Sequence, residues 1–167
     1  MTLTTVSGLE LRNAVGAFPS GVTVVSTEHA GVDYGLTVSA FVSLSLDPAM
    51  VLVSVDKKSR VLPFLCPSAP VAVSVLAEDQ ADVAITFGRS VEDKFAGLSV
   101  VRTPNGARLI DGAAAALSGR VVNCFDGGDH DIITIAVEEC SQDDDMRPLL
   151  YHRGKFLIDK KTSGMAK

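Results

Sequence analysis

A run of hydroxyl side chains lies along one face of a strand predicted near the start of the chain. In "YGLTVSAFVSLSL", residues 34–46, apolar residues alternate with mostly polar ones, as in a strand that buries one face. The residues of the second face are Thr37, Ser39, Phe41, Ser43 and Ser45. Hydroxyls and backbone amides bind the carbonyls and ring nitrogens of a flat heterocycle without any charged group. The pattern therefore fits a neutral ring ligand, and it also fits a strand face exposed to water.

The segment "SVDKKS", residues 54–59, ends the next predicted strand. Lys57 and Lys58 carry positive charge, and Ser59 could cap a helix of one or two turns that Pro67 closes. Cations beside a helix N-terminus suit a phosphate group. The hydroxyl face and this segment together fit one nucleotide-like ligand, although solvated lysines also explain the segment.

The glycine-rich segment "DGGDHD", residues 126–131, joins two predicted strands. Glycines at positive φ and solvated aspartates are typical of a hairpin tip, and they account for every residue of the segment except His130. At the rim of a barrel, His130 could donate a hydrogen bond to an amide or stabilise developing charge. A metal site built from these acids and His130 is a weaker alternative, because no second histidine lies nearby.

The segment "TFGRSVEDKFAG", residues 86–97, combines basic and aromatic side chains. Arg89 and Lys94 could bind a phosphate group, while a phenylalanine could stack on a ring. Phe87 also lies on an apolar helical stripe, which is more typical of core, and Phe95 follows in the same segment. The segment is thus either a ligand wall or a piece of core.

The segment "LLYHRGKF", residues 149–156, places a phenol and two basic groups beside a glycine bend. Tyr151, His152 and Arg153 could meet a pyrophosphate, and a solvated strand end is the alternative. The chain has no Gly-x-Gly-x-x-Gly, and "GAFPSG" lacks the lysine of a Walker loop. Any nucleotide must therefore be held by other means.

The composition of the 167 residues excludes several functions. Lys and Arg number 15 against 20 Asp and Glu, a formal net charge of −5, with no basic block for a nucleic acid. The three cysteines are widely spaced, which favours a reducing compartment over a disulfide framework or a zinc site. The first residues, "MTLTTVSGLELRNAVGAF", lack the basic start and apolar run typical of a signal peptide, and no apolar run approaches about 18 residues. We expect a soluble, cytoplasmic protein that binds neither nucleic acid nor membrane.

The order of predicted elements favours a mainly β fold with inserted helices. Many short strands without regular β-α alternation predict an antiparallel barrel, closed or partly closed, in a single domain over residues 1–158 with a loose tail from 159. Helices are predicted at 7–18, where Ser7 and Glu10 form a capping box, and at 78–89, with short helical turns after 59. Strands are predicted at 21–27, 34–45, 50–56, 71–77, 98–103, 114–125, 131–140 and 148–158.

Six segments, taken in order, resemble the short-chain flavin reductase family, which includes the reductase components of two-component flavin monooxygenases. The segments are "AFPSGVTVVST", "GLTVSAFVSLSLDPAMVLVSVDKKS", "VAVSVLAEDQADVAITFGR", "DKFAG", "GGDHDII" and "PLLYHRGKF". The resemblance covers residues 11–156, and a series of motifs in the right order is far more specific than any one of them. It implies an FMN-binding split β-barrel, a homodimer, and NAD(P)H-dependent reduction of FMN or FAD.

The resemblance also implies roles for individual residues. The ring and ribityl chain of a flavin are expected at Thr37, Val38, Ser39 and Ala40. The flavin site would continue toward the phosphate at Ser54, Val55, Asp56, Lys57 and Ser59, with further cofactor-binding residues at Phe87, Arg89 and Phe95. The "GDH" segment implies that His130 lies in the nicotinamide pocket as the catalytic residue, and "YHRG" implies that Tyr151 and Arg153 lie near the dinucleotide. Gly88 stands where the family commonly has alanine.

The activity implied by this resemblance is hydride transfer from NADH, or from NADPH, to FMN or FAD, with the reduced flavin passing to a partner monooxygenase. NADH is favoured because no extra basic cluster for a 2′-phosphate stands out. The chain has no Ser-His-Asp or paired-carboxylate constellation, which agrees with chemistry performed by a cofactor. A flavin-binding carrier or sensor without turnover is the alternative in another class, and a ligand-free dimeric β module is a third.

Overall fold

The structure is a computed structural model, and it describes residues 5–157. Its helices are α1 Gly8–Val15 and α2 Ala81–Gly88, with a 3-10 turn at Leu62–Phe64. Its strands are β1 Ser20–Gly21, β2 Thr23–His29, β3 Val32–Val38, β4 Phe41–Leu46, β5 Ala49–Asp56, β6 Pro70–Val75, β7 Val100–Arg102, β8 Arg108–Ile110, β9 Ala115–Asp126, β10 His130–Gln142, β11 Leu150–His152 and β12 Lys155–Leu157. The tail expected from residue 159 lies outside the described residues.

Seven antiparallel strands form the main sheet, in the order β3-β2-β6-β9-β10-β5-β4. Valines and isoleucines from six of these strands meet in one buried cluster, which includes Val25, Val53, Val71, Val121 and Ile133. Because strands from both halves of the sheet share this core, the sheet curls around it. The edge strands β3 and β4 pair with β2 and β5 and not with each other, so the barrel is split rather than closed. The expected split-barrel fold is confirmed.

The long strand expected over residues 34–45 is in fact two strands. β3 ends at Val38 and pairs with β2, whereas β4 begins at Phe41 and pairs with β5. The chain therefore crosses from one edge of the sheet to the other at Ser39 and Ala40, where the Ala40 carbonyl accepts a hydrogen bond of 3.0 Å from the Ser54 amide. The expectation of one continuous alternating strand was wrong, because alternation is a local pattern that does not reveal a change of pairing partner.

The expected apolar face of that strand is buried only in part. Val38 belongs to the core, but in β4 Val42 is 51% exposed and Leu44 is 45% exposed. β4 is an edge strand and covers little of the cluster that its neighbours enclose. These two apolar side chains are therefore left at the surface of the single chain.

The helical turns expected from Ser59 are also different. The observed 3-10 turn begins at Leu62, and the Ser59 hydroxyl accepts a hydrogen bond from the Val61 amide at 3.2 Å. Pro63 occupies the turn and Pro67 follows it, so the segment has little room for longer helix. Ser59 is thus part of an irregular turn and not the N-cap of a helix.

The two helices form where the sequence predicts them. In α1 the Ser7 hydroxyl accepts from the Glu10 amide at 3.2 Å, and the Glu10 carboxylate accepts from the Ser7 amide at 2.9 Å, which completes the capping box. None of the side chains of α1 is buried. In α2 the expected stripe is confirmed, since Phe87 is fully buried and Val83 packs against the same cluster.

The remaining elements follow the sequence closely, with two exceptions: β8 was missed, and the strand expected over 21–27 is divided at Val22 into β1 and β2, which belong to different sheets. The long hairpin β9–β10 and the bent pair β11–β12 are as expected, and the latter pairs with β1 in a small sheet. The short strand β8, which pairs with β7, was not predicted. Within residues 5–157, no helix is long and apolar enough to span a membrane. The same residues contain no cluster of three or more His, Cys, Asp or Glu side chains that could hold a metal ion.

Candidate functional site

A mostly apolar cavity of about 410 Å³ opens beside the break between β3 and β4. We call it the apolar cavity; its lining residues are Val22, Thr37, Ser39, Ala84, Ile85, Gly88, Arg89, Tyr151, Gly154 and Phe156. Arg89 is the sole charged residue of this lining. Three hydroxyl side chains, two aromatic rings and aliphatic groups therefore offer hydrogen bonds and packing surface to a flat neutral ligand.

A second cavity, of about 530 Å³, lies between β3, the turn after β5 and the segment after α2. We call it the basic cleft because its lining includes Lys58, Arg60, Arg89 and Lys94, together with Asp33, Asp56 and Glu92. The apolar cavity and the basic cleft share Thr37, Gly88 and Arg89, so they adjoin. Both volumes fall within the range of about 300–1,000 Å³ typical of ligand pockets.

The cations of the basic cleft are not neutralised by neighbouring carboxylates. Among residues 5–157, none of the four forms an ion pair within 4.0 Å. One acid of the lining, Asp33, is instead paired with Arg102 at 3.0 Å and with Arg108 at 2.7 Å, both outside the cleft. The cleft therefore presents a local excess of positive charge in a chain of net negative charge, which suits an anionic group.

Lys94 holds the wall of the basic cleft in place. Its ammonium donates to the Phe87 carbonyl at 2.8 Å and to the Gly35 carbonyl at 3.0 Å, and so connects the C-terminal turn of α2 to β3. Burial lowers the pKa of Lys94, and the nearby positive charge of Arg60 lowers it further. An ammonium has three protons to donate, so one remains for the cleft.

Packing between α2 and β3 fixes the position of both cavities. The rings of Phe87 and Phe95 meet edge to face with centroids 4.9 Å apart, and the Arg108 guanidinium lies 5.4 Å from the Phe95 ring centroid. Phe87 also fills the space beside Gly35, where an added Cβ would lie 2.5 Å from Phe87 Cε1. The Thr37 hydroxyl donates to the Ala84 carbonyl at 2.6 Å and ties the same two elements together.

His130 lies at the tip of the β9–β10 hairpin, opposite Asp56 of β5. Its Nδ1 donates to Asp129 Oδ1 at 2.7 Å, because an ionised carboxylate can only accept. This hydrogen bond lowers the pKa of Asp129. The Lys57 ammonium contacts the same tip, where it pairs with Asp126. His130 and Lys57 therefore belong to one cluster at the end of β5.

The structure gathers some of the residues singled out from the sequence and separates others. Those that line one or both cavities are Thr37, Ser39, Asp56, Ser59, Phe87, Arg89 and Tyr151. Those that line neither are Val38, Ala40, Ser54, Val55, Lys57, Phe95, His130 and Arg153. Val38, Val55 and Phe95 point into the core, and Arg153 lies in a third cavity beside α1.

A family model for the flavin reductase-like domain matches residues 15–158. The chain belongs to this family. It is 42% identical over 147 residues to the reductase component of 4-nitrophenol 4-monooxygenase/4-nitrocatechol 2-monooxygenase of Rhodococcus opacus, covering 88% of this chain and 78% of that protein. It is 37% identical over 147 residues to HsaB, the reductase subunit of a flavin-dependent monooxygenase of Mycobacterium tuberculosis, covering 87% and 79% respectively.

A solved structure of a flavin reductase also resembles this chain in fold and sequence. The NADH:FAD oxidoreductase SgcE6 of Streptomyces globisporus, in complex with NAD and FAD fragments, aligns with a TM-score of 0.85 and 32% identity over 93% of this chain and 94% of that chain. The resemblance to the flavin reductase family drawn from the motifs is confirmed.

The two adjoining cavities fit what a flavin requires. A flavin mononucleotide combines a flat, neutral ring system with a phosphate at the end of a short polar chain. The apolar cavity offers hydroxyls without charge, and the basic cleft offers unpaired cations on the other side of Arg89. The residues present therefore suit the group that the family binds.

The sequence reasoning missed several residues of the basic cleft. Tyr34 and Arg60 both line it; Tyr34 begins the stretch 34–46 but is not one of its hydroxyl-face residues, and Arg60 lies outside the singled-out segments. Arg60 directly follows Ser59, so its position next to a segment already singled out was the one available signal. Tyr34 stacks on Phe64 with centroids 3.9 Å apart, a contact between distant segments that spacing along the chain cannot reveal.

Proposed function

We propose that this flavin reductase binds FMN or FAD with its ring system in the apolar cavity and its phosphate in the basic cleft. Thr37 and Ser39 would face the ring, Tyr151 would close the cavity from the opposite side, and Arg89 would stand between ring and phosphate. The observation that carries the proposal is the junction of a mostly apolar cavity, whose one charged lining residue is Arg89, with a cationic cleft at Thr37, Gly88 and Arg89. Membership of the flavin reductase-like family supports it.

The other residues expected in the flavin site would contribute in less direct ways. Ser59 and Asp56 line the basic cleft, and the Asp56 carboxylate accepts from the Lys58 amide at 2.7 Å, which shapes the turn. The core-facing Val38 and Val55 would act through their backbone, as would Ala40 and Ser54 at the crossing between sheet edges. Phe87 and Phe95 would support the wall from behind.

A bound flavin would supply the redox chemistry, by accepting hydride from the nicotinamide of NADH or NADPH. The chain would bind both dinucleotides, align them and limit access of water. His130 would act at the nicotinamide pocket, where its second ring nitrogen, Nε2, has no partner among the described residues. Arg153 and Tyr151 would contact the dinucleotide. Reduced flavin would then serve a partner monooxygenase, as the names of the related reductase components suggest.

The chain would act as a homodimer in the cytoplasm. Support for the dimer comes from β4, an edge strand whose apolar side chains Val42 and Leu44 are about half exposed and whose Leu46 is 90% exposed. An apolar edge of this kind is normally covered by another chain.

Support for the compartment comes from the three cysteines, all of them free.

Turnover with excess flavin tests the proposed function. Purified protein is mixed with NADH and a large excess of FMN, then of FAD, and the nicotinamide absorbance is followed. A reductase oxidises many equivalents of NADH per chain, whereas a flavin carrier oxidises at most one. Repeating the assay with NADPH and with riboflavin determines which nicotinamide and which flavin the chain prefers. Oxidation of one equivalent or less with every flavin would contradict the proposal.

A further inference from the structure

The two adjacent lysines after β5 differ in their contacts with the β9–β10 hairpin. The charge of Lys58 helps to lower the pKa of Asp129, but of the two lysines only Lys57 forms ion pairs there within residues 5–157. Lys58 lines the basic cleft. The Lys57 ammonium instead pairs with the Asp126 carboxylate, donates to the Gly128 carbonyl at 2.7 Å, and lies 3.7 Å from Asp131 Oδ1. The hydrogen bond with Asp126 raises the pKa of Lys57 and lowers that of Asp126. The Lys57 side chain therefore contacts the hairpin tip, which we define as residues 126–131.

The backbone of Lys57 contacts the same tip. Its amide donates to the Asp129 carbonyl at 3.0 Å, so one residue holds the tip through both its main chain and its side chain. Besides the strand pairing of Asp126 with Asp131 and of His130 with Asp56, the tip has a positive φ at Gly128 and a hydrogen bond from the Gly127 amide to the His130 carbonyl. The end of β5 thus fixes where the tip stands.

The tip in turn orients His130. The imidazole is held through Nδ1 by the Asp129 carboxylate, and the Asp129 carbonyl is the group that accepts from Lys57. A hydrogen bond at one imidazole nitrogen sets the direction of the other. A continuous series of contacts therefore runs from Lys57 through Asp129 to Nε2 of His130.

We propose that Lys57 is a positioning residue for His130, which it serves by holding the hairpin tip in place, and that Lys58 adds to the positive charge that Arg89 offers the flavin phosphate. This inference rests on the proposed function, in which His130 meets the nicotinamide. It divides the Lys57-Lys58 pair between two tasks: the first lysine governs hydride transfer and the second governs flavin affinity.

Matched substitutions of the two neighbours test this division. Lys57→Met and Lys58→Met each remove one charge and keep a chain of similar length. We measure the FMN dissociation constant from flavin fluorescence, and the rate constant of flavin reduction at saturating FMN and NADH by stopped flow. For Lys57→Met we expect a rate about fivefold lower, because misplacing a reacting group by a fraction of an ångström slows transfer. FMN affinity should stay within twofold.

For Lys58 we expect the opposite pattern, in which FMN affinity changes more than the reduction rate. Lys58→Met should weaken FMN binding far more than it lowers the reduction rate at saturating FMN. Lys57→Arg should recover most of the lost rate, because a guanidinium can still pair with Asp126. Combining Lys57→Met with Asp126→Asn should add little to either substitution alone, since both break one contact. His130→Ala is the reference for complete loss of the imidazole.

Hydrogen exchange provides a readout that is independent of activity. Backbone amides of residues 126–131 should exchange faster in Lys57→Met and at the wild-type rate in Lys58→Met. Unchanged exchange at the tip in Lys57→Met would overturn the inference, and so would weaker FMN binding with an unchanged reduction rate. If the wild-type chain fails to turn over NADH, the proposed function fails, and exchange at the tip still decides whether Lys57 braces it.

Discussion

Arg89 is the residue on which the two halves of the site depend. It lines both the apolar cavity and the basic cleft, and its guanidinium has no hydrogen bond or ion pair within residues 5–157. A cation left without a partner at the junction of two cavities is available to a ligand phosphate. Because no intramolecular contact would be lost, its replacement should affect binding far more than folding.

Arg89→Met should weaken FMN binding by about tenfold and leave riboflavin binding unchanged, since one charge-assisted contact to phosphate is worth about 1.4 kcal/mol. Riboflavin lacks the phosphate and so reports on the ring site alone. Fluorescence titration of both ligands measures the two affinities. A melting temperature equal to that of the wild type shows that the substitution does not affect folding. Equal losses for FMN and riboflavin would contradict a phosphate contact at Arg89.

The Asp129-His130 contact gives a prediction about pH. The hydrogen bond to His130 holds the pKa of Asp129 below its ordinary value of 3.8. A lowered carboxyl pKa contributes stability above the unfolded value, and this contribution is lost as the pH falls through the folded value. Asp129 is almost fully exposed, so the effect on stability should be small.

Carboxyl NMR titration tests this contact directly. We expect Asp129 to titrate below 3.8 in the wild type and closer to 3.8 in His130→Ala. Identical titration of Asp129 in both proteins would show that the imidazole is not held by this carboxylate in solution.

At the scale of elements, the contact between β3 and α2 determines whether the cavities form. Gly35 of β3 lets Phe87 of α2 approach closely, Thr37 bonds the Ala84 carbonyl, and Lys94 bonds carbonyls of both elements. The sequence predicted each element here, because capping, periodicity and strand composition are local. It did not predict their contact, since the space beside a glycine is filled by a side chain more than fifty positions away.

Two glycine-to-alanine substitutions distinguish a glycine that close packing requires from one that only weakens a helix. Gly35→Ala would place a methyl group 2.5 Å from Phe87 Cε1, and we expect a loss of about 1–3 kcal/mol in the free energy of unfolding from overpacking. Gly88→Ala, at the end of α2, meets only Thr37 Oγ1 at 4.0 Å and should stabilise by up to about 1 kcal/mol. Urea denaturation measures both. A neutral Gly35→Ala would mean that Phe87 does not fill this space.

At the scale of the whole molecule, the order of motifs predicted the split barrel and the family, while the course of the chain around the barrel opening was not predictable. Period-two alternation continues unbroken through Ser39 and Ala40, although the chain changes its pairing partner there. Ala40, Val42 and Leu44 were expected on a buried face and are exposed in the single chain. Pairing is decided by distant strands, so no local pattern marks the crossing.

The exposed apolar residues of β4 lead to a prediction about assembly. If β4 lies in a dimer interface, Leu46→Asp should shift the protein toward monomer, because a carboxylate would be buried there without a partner. Light scattering after size exclusion measures the mass at several concentrations. Val101→Asp, at an apolar position on β7 that is 52% exposed, is the control and should leave the mass unchanged. A wild-type protein that is monomeric at all concentrations would contradict the dimer.

The most direct test of the account is a crystal structure of the protein with FMN bound. We expect the flavin ring in the apolar cavity, between Thr37 and Ser39 on one side and Tyr151 on the other, with the phosphate in the basic cleft within hydrogen-bonding distance of Arg89. A flavin bound elsewhere, or a phosphate that points away from the basic cleft, would contradict the account.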